Sequence, residues 1–415
     1  MYEDGQHLRL AKGSQPNAAD RAWASHLPEV DEAMVAMVHD WLPVYAGAER
    51  VLEQMLHVFP QSEVYSLIDF LPEDQRAFLQ GRNVQTSFIQ RLPFAQSKYR
   101  YYLPLAPLAI EQFDLTGYNV VVSSSYAVAK GALTTADQLH ISYVHSPIRY
   151  AWDLHFEYLR EGGLQRGLKG MIARAILHYM RLYDASTASR PDVLVANSNT
   201  VARRIRKTYR RPARVIYPPV DTKAFQLQAE KDEFYLTASR MVPYKRLDLI
   251  VEAFAGMPDR KLVVIGDGPE MDREKSKAEA NTEILGYQSN DVLQDYMQRA
   301  KAFVFAAQED FGIVPVEAQA CGTPVIAYGR GGVSETVIPG ETGVFFHKQT
   351  VPSLQRAVRT FEKHQESFDP HAIRSHAERF DIERFRDQFE ELIRTEYARF
   401  KQGYVSRSVG HSLRS

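Results

Sequence analysis

Two glutamates, Glu309 and Glu317, stand eight positions apart in EDFGIVPVEAQACGTPVIA (309–327), among apolar residues and with a glycine and a proline between them. Three uses fit such a pair: a solvated helix face, a metal-carboxylate pair, or a grip on sugar hydroxyls. The apolar run KAFVFAAQ ahead of the pair reads as a buried strand, so Glu309 stands at a strand tip and not on a helix face. Gly312 lets the backbone turn into a helix expected to start near Val314 or Pro315, and Glu317 then falls in its first turn. A metal fits poorly, because no histidine lies nearby and the chain contains no D-x-D. Each carboxylate accepts two hydrogen bonds, which matches vicinal hydroxyls on a ribose or hexose. Hydroxyl recognition is the best of the three, and no metal or cofactor is expected.

Other strand ends carry polar residues too. In ASRMVPYKRLDLIVEAF, Arg240 leaves a strand and Lys245 precedes an amphipathic helix, so the two cations on one loop form a candidate diphosphate clamp. Taken singly, either could be a solvated loop charge. Gly266 and Gly268 in VVIGDGPEM fit a nucleotide moiety or any sharp strand-to-helix corner. ILGYQSNDVLQDYM repeats the glycine-then-helix arrangement at Gly286, followed by Tyr287. In the first half, HDWLPVYAGAERVLEQML leads to Gly47 at a helix start, where free N–H groups favour a phosphate; a tight turn explains the glycine equally well. His145 ends the strand of YVHSPIRYAWD, in a setting where a structural histidine is as common as a ligand.

These residues need a scaffold that gathers strand ends. From Met34, short apolar runs alternate with helix-period runs, the pattern of βαβ units and parallel sheets. The first half offers strands at 34–39, 63–68, 119–124, 140–145 and 192–198, the second at 234–239, 261–267, 301–307, 323–328 and 343–346. Two Rossmann-like parallel-sheet domains are therefore expected, 34–213 and 226–380, facing a deep cleft. RVIYPPVDTKAF (214–225) reads as the linker. A helix over 381–402, with Ile382, Phe385, Phe389, Leu392 and Ile393 at helical spacing, is long enough to cross back to the first domain. Residues 1–33 are expected to be a poorly ordered extension, with Met34 or Met37 as a natural start, and 403–415 a loose tail.

Bulk composition agrees with two soluble domains. The 415 residues are 45% hydrophobic and 24% charged with a formal net charge of -1, so overall charge names no partner. The one cysteine, Cys321, excludes an internal disulfide and suits a reducing cytoplasm. Charge is nevertheless uneven. Residues 160–214 hold 13 Lys/Arg against three acids, and RRIRKTYRRPAR alone holds seven cations, among them Arg203, Arg204 and Lys207. Upstream, QRLPFAQSKYRYYLPLAPLAI interleaves Arg91, Lys98 and Arg100 with Tyr101 and Tyr102. Cations beside exposed aromatics fit docking on anionic lipid at the inner face of a membrane. The competing reading is a solvated helix face plus ordinary core; no nucleic-acid-binding module accompanies the basic run.

Taken together, the E-x7-E pair within EDFGIVPVEAQACGTPVIAYGRGGVSETV resembles that of the retaining glycosyltransferases of family 4, whose fold is GT-B, and the likeness spans nearly all of 34–400. With HSPIRYAWD and FDPHAIRSHAERFDIERF, the chain looks most like the bacterial O-antigen and exopolysaccharide mannosyltransferases. That resemblance implies GDP-mannose as donor and a glycan acceptor carried on a polyprenyl diphosphate. It implies that Glu309 contacts the transferred sugar, Glu317 the ribose, and Arg240 and Lys245 the diphosphate. The backbone at Gly312, Ile313 and Val314 would face sugar and phosphates, His145 the acceptor side, and Gly47 the diphosphate. One departure is Ala46, where the family often has a second glycine. A sugar-nucleotide epimerase or hydrolase on the same fold, and a non-catalytic nucleotide-sugar binder, stay open as alternatives. A Rossmann oxidoreductase is disfavoured, since neither half has the full glycine fingerprint with its ribose-binding acid.

Overall fold

The computed structural model describes residues 28–403; the expected tail beyond them and most of the expected extension lie outside the described residues. Two all-parallel sheets organise the chain. The first runs in the order β3-β2-β1-β4-β5-β6-β7: β1 (Val35–His39), β2 (Glu63–Ser66), β3 (Val84–Thr86), β4 (Val120–Ser125), β5 (Leu139–Val144), β6 (Val193–Ala196) and β7 (Arg214–Val215). The second runs β10-β9-β8-β11-β12-β13: β8 (Phe234–Ala238), β9 (Lys261–Ile265), β10 (Thr282–Gly286), β11 (Ala302–Phe305), β12 (Val325–Tyr328) and β13 (Gly343–Phe346). Strand order reverses direction between β1 and β4 and again between β8 and β11. Those two switch points, at the carboxyl ends of the strands, are where such sheets bind ligands.

The central strands β1, β4, β5, β8, β11 and β12 are buried along their whole length because both faces are covered. Along β1, Val35 and Met37 join one core while Ala36 and Val38 join the opposite one. In β8, Phe234 and Leu236 face one way and Tyr235 the other. Five helices carry or buttress the site: α1 (Gly47–Val58), α2 (Gly167–Thr187), α3 (Asn199–Tyr209), α4 (Ile313–Ala320) and α5 (Ile382–Lys401). Asp381 caps α5 by accepting the Glu383 N–H at 3.0 Å, and α5 buries Phe385, Phe389, Leu392 and Ile393 in the core of the first sheet. Each such aromatic or aliphatic side chain contributes about 1.5–3 kcal/mol. Phe385 and Phe389 stack on each other with centroids 5.8 Å apart, and their burial in that core holds α5 on the first domain.

Differences from the sequence reading are local. Most expected strands end earlier than their apolar runs. The β2 run stops at Ser66 because the Leu67 N–H donates to the Asp40 carbonyl at 3.1 Å, and the β6 run stops because Ser198 caps α3. Three strands went unforeseen: β3, β7 and β10. All three are partly exposed, so they lack the continuous apolar run that marks a buried strand. Arg214 and Val215 pair with β6, so the chain leaves the first sheet only after Val215.

Candidate active site

Around the switch point of the second sheet, the loops after β8 and β11 converge. Lys245 ends a short 3-10 turn (Pro243–Lys245), and its ammonium contacts the Glu309 carboxylate directly. Both side chains are mostly buried. Burial, with the Arg149 guanidinium nearby, pushes the Lys245 ammonium down to about 8. Arg240 is exposed at the tip of the same loop, and its side chain makes no ion pair among the described residues. Gly266, at φ +138°, explains how that loop is held: the Ser239 carbonyl fills the space a side chain would need. Backbone of the 239–241 loop occupies the side where a β-carbon would stand, which gives this glycine a structural reason of its own. Gly286 ends β10, and Tyr287 beyond it is 79% exposed.

Gly312 adopts φ +90° as the N-cap of α4, which starts at Ile313, slightly earlier than expected. Pro315 is therefore the third helical residue, and Glu317 opens the second turn. Glu317 is buried and accepts a 2.7 Å hydrogen bond from Arg50 of α1, a cross-domain ion pair absent from the sequence reading. A cavity of about 230 Å³ lies beside this pair, lined also by Tyr45, Asn290 and Leu293. Gly47 opens α1, and a β-carbon there would already touch the Ile313 side chain at 3.4 Å. The two domains thus approach at the residues expected to surround a donor.

His145 follows β5 and belongs to a buried network that the sequence reading missed. The Ser124 Oγ joins His145 Nε2 at 2.8 Å and His39 Nδ1 at 3.1 Å, while His39 Nε2 meets Glu49 at 3.3 Å. Glu49 also accepts the Ala46 N–H at 3.0 Å, so the Gly47 turn and His145 are tied into one unit. Burial and the neighbouring His39 hold His145 down at about 3, so its imidazole is neutral at physiological pH. Asp40, fully buried after β1, accepts four backbone N–H groups from Tyr126, Ala127, Val128 and Ala129 at 2.6–2.8 Å. It fixes the loop at the end of β4, and thereby both sides of the first switch point.

Cross-domain contacts pin the opposite flank. Glu335 accepts the N–H groups of Asn199 and Thr200 at 2.8 Å each, plus both side chains, so a carboxylate of the second domain sits on the N-terminus of α3. Ser198 donates to the Asp310 carbonyl at 2.6 Å, and Arg149 reaches both Asp310 and the Gln308 carbonyl. Glu335 stands after β12, as Glu309 stands after β11. The same strand-end logic applied to GRGGVSETV could have found it.

The expected membrane cations separate into three groups. Arg204 is corrected outright: it is mostly buried and pairs with Asp153 and Asp310, because it lies on the face of α3 that meets the second domain. Arg203 and Lys207 are exposed, and both line an interdomain pocket of about 890 Å³. Tyr102 is half-buried: it packs against the first-domain core and donates to the Pro93 carbonyl at 2.6 Å. Arg91, Lys98, Arg100 and Tyr101 do remain exposed, with Tyr101 at 78%. Among the described residues no cluster of three or more His, Cys, Asp or Glu could hold a metal ion, and no helix is long and apolar enough to cross a membrane.

Known proteins agree with this architecture. Residues 45–224 match the model described as Glycosyltransferase Family 4, and residues 220–379 match Glycosyl transferases group 1. The chain thus carries these two glycosyltransferase domains in tandem, on the GT-B fold. It is 29% identical over 254 residues to a D-inositol 3-phosphate glycosyltransferase of Gordonia bronchialis, covering 52% of this chain and 54% of that protein. It is 34% identical over 131 residues, 28% of this chain and 34% of the other, to a GDP-mannose-dependent monoacylated alpha-(1-6)-phosphatidylinositol monomannoside mannosyltransferase of Corynebacterium glutamicum. The chain spans about half the length or less of the curated relatives it matches. The crystal structure of Anabaena HepE in complex with UDP-glucose superimposes with a TM-score of 0.64 at 18% identity, covering 87% of this chain and all of the other.

Proposed function

We propose that the protein is a retaining glycosyltransferase that moves mannose from GDP-mannose onto a polyprenyl-diphosphate-linked glycan in bacterial surface polysaccharide biosynthesis. The observation that carries this reading is the contact of Lys245 with Glu309, one from each of two neighbouring strand-end loops. A cation suited to a diphosphate and an acid suited to sugar hydroxyls are side by side, with Glu317 one helical turn further on. The donor-bound HepE structure and the GDP-mannose-dependent relative support a nucleotide-sugar donor.

In this reading the acceptor oxygen bonds to the anomeric carbon on the face from which the diphosphate departs, and the acceptor proton passes to the departing diphosphate oxygen. Arg240 and Lys245 stabilise the charge that develops there, Glu309 orients the sugar, and Glu317 exchanges Arg50 for the ribose. Neutral His145, held by Ser124, offers a hydrogen bond on the acceptor side without adding charge.

Membrane docking is part of the proposal. Helix α2 exposes Leu168, Met171, Ile172, Tyr179 and Leu182, spaced so that they share one face. It contacts the 99–105 segment that presents Tyr101, and Arg166 and Lys169 stand at the start of the helix. An apolar face with flanking cations suits the surface of an anionic bilayer, the inner face of the cell membrane.

The test is a thermal-shift panel of GDP-, UDP- and ADP-sugars followed by product analysis. A ligand held only by the folded state raises the melting temperature, and GDP-mannose is expected to raise it most. A new glycosidic bond is the expected product. A free or epimerised sugar would instead identify the hydrolase or epimerase chemistry. Sedimentation with phosphatidylglycerol vesicles at low salt tests docking, and protein left in the supernatant removes that part of the proposal.

A further inference from the structure

The interdomain pocket of about 890 Å³ has an unusual wall. Arg203 and Lys207, at i and i+4 on α3, share the face that lines it, and Arg210, the left-handed C-cap residue of α3, lines it too. Arg330 enters from the second domain, after β12. None of these four has a carboxylate within ion-pair distance among the described residues. The acid in the wall, Asp153, is taken by Arg204. Elsewhere in the basic run, cations are spent on the fold: Arg211 donates to the carbonyls of Ala188, Pro191 and Asp192, and Arg214 pairs with Glu396. The pocket therefore gathers four cations that no acid neutralises.

Its walls are fixed. Tyr209 on α3 and Trp152 in the pocket lining both donate to the fully buried Asp184, at 2.9 and 2.7 Å, and Glu335 holds the start of α3. Four like charges around one concavity repel one another, and an anion relieves that repulsion. Guanidinium forks match phosphate oxygens, and the size is that of a site for a small molecule, not a duplex. Gln308, which forms part of the wall, is the residue before Glu309, so the pocket adjoins the sugar end of the candidate donor site.

We propose that this pocket is a second anion site, distinct from the clamp on Arg240 and Lys245, and that it receives the phosphate or diphosphate group of the acceptor. The assignment of that group to an acceptor rests on the glycosyltransferase reading; the anion site itself does not. Because cations come from both domains, the bound group would also hold the domains together.

The experiment is calorimetric titration of inorganic pyrophosphate into the full chain, with and without a saturating concentration of the nucleotide that binds best in the thermal-shift panel. Wild type is expected to bind pyrophosphate even when the nucleotide is saturating. R203E/K207E should weaken that binding about tenfold or more while leaving nucleotide binding unchanged. Lys207→Glu alone, an exposed position, and Arg330→Glu in the other domain serve if the double variant does not fold, and each is expected to weaken it in the same direction. Pyrophosphate binding that vanishes under saturating nucleotide, or variants that bind as wild type does, would overturn the proposal. A second arm separates free phosphate from lipid headgroups: phosphatidylglycerol vesicles should retain wild type and R203E/K207E alike. Loss of vesicle binding in the variant would make these cations a membrane surface and overturn the pocket assignment. Variant-sensitive pyrophosphate binding in a protein that binds no nucleotide would sink the donor reading and leave the anion site standing.

Discussion

The two charged regions that flank Gln308 solve the same problem in opposite ways. In the donor loops Lys245 meets Glu309 and Arg50 meets Glu317, so a ligand must displace an internal partner. In the pocket beside α3, four cations meet no acid, so an anion could enter without breaking a pair. The difference teaches that charge pairing, and not charge count, separates a site that exchanges partners from one that waits for its partner. It also suggests an order: the donor has to open its site, whereas the acceptor's anionic end meets a wall already formed.

The largest expected effect tests whether the paired region works as a clamp. Lys245→Ala and Arg240→Ala should each lower kcat by about a hundredfold or more, if each supplies a few kcal/mol to the transition state. Steady-state rates with the preferred donor measure this, and wild-type kinetics in both variants would remove the clamp. Acidity sharpens the same contrast. Lys245 carries its charge below about 8 and loses it above, so kcat/KM for the donor should fall about tenfold per pH unit once that value is passed. Bound diphosphate favours the ammonium, so the corresponding limb in kcat should lie at higher pH. His145, depressed to about 3, should add no limb between pH 5 and 8.

Smaller effects probe the contacts that hold the two regions side by side. Glu335→Ala removes the acceptor of the first two N–H groups of α3 and should cost about 1–2 kcal/mol in denaturant unfolding. An unchanged midpoint would show that the clamp on α3 contributes nothing. Smallest of all, Arg50→Ala removes the internal competitor for Glu317. A partly exposed pair is worth about 0.2–1 kcal/mol, so the donor KM should fall by about fivefold at most. A raised KM would mean that Arg50 binds the donor itself.

What the sequence could and could not reveal follows the same physics. Continuous apolar runs mark strands even at an edge, so GVFF marked β13 to the residue, and Glu309 was legible because a strand tip is no place for a solvated acid. The edge strands β3 and β7 were not legible, since half-exposed residues carry no such signature. Long-range partners were invisible for a different reason. Nothing local in HDW tells that Asp40 will accept four N–H groups from the loop after β4, and nothing in AGAER tells that Arg50 will reach Glu317. The basic run misled because a cation count cannot distinguish Arg211, spent on three carbonyls, from Lys207, which faces an open pocket.

The central claim is that one nucleotide sugar bridges the cations of the β8 loop and the acids around α4. A crystal structure of the complex with the preferred nucleotide sugar tests it most directly. The diphosphate is predicted on Arg240 and Lys245, the hexose hydroxyls on Glu309 and the ribose on Glu317 released from Arg50. A nucleotide sugar bound elsewhere, with the Lys245–Glu309 and Arg50–Glu317 pairs intact, would contradict the account.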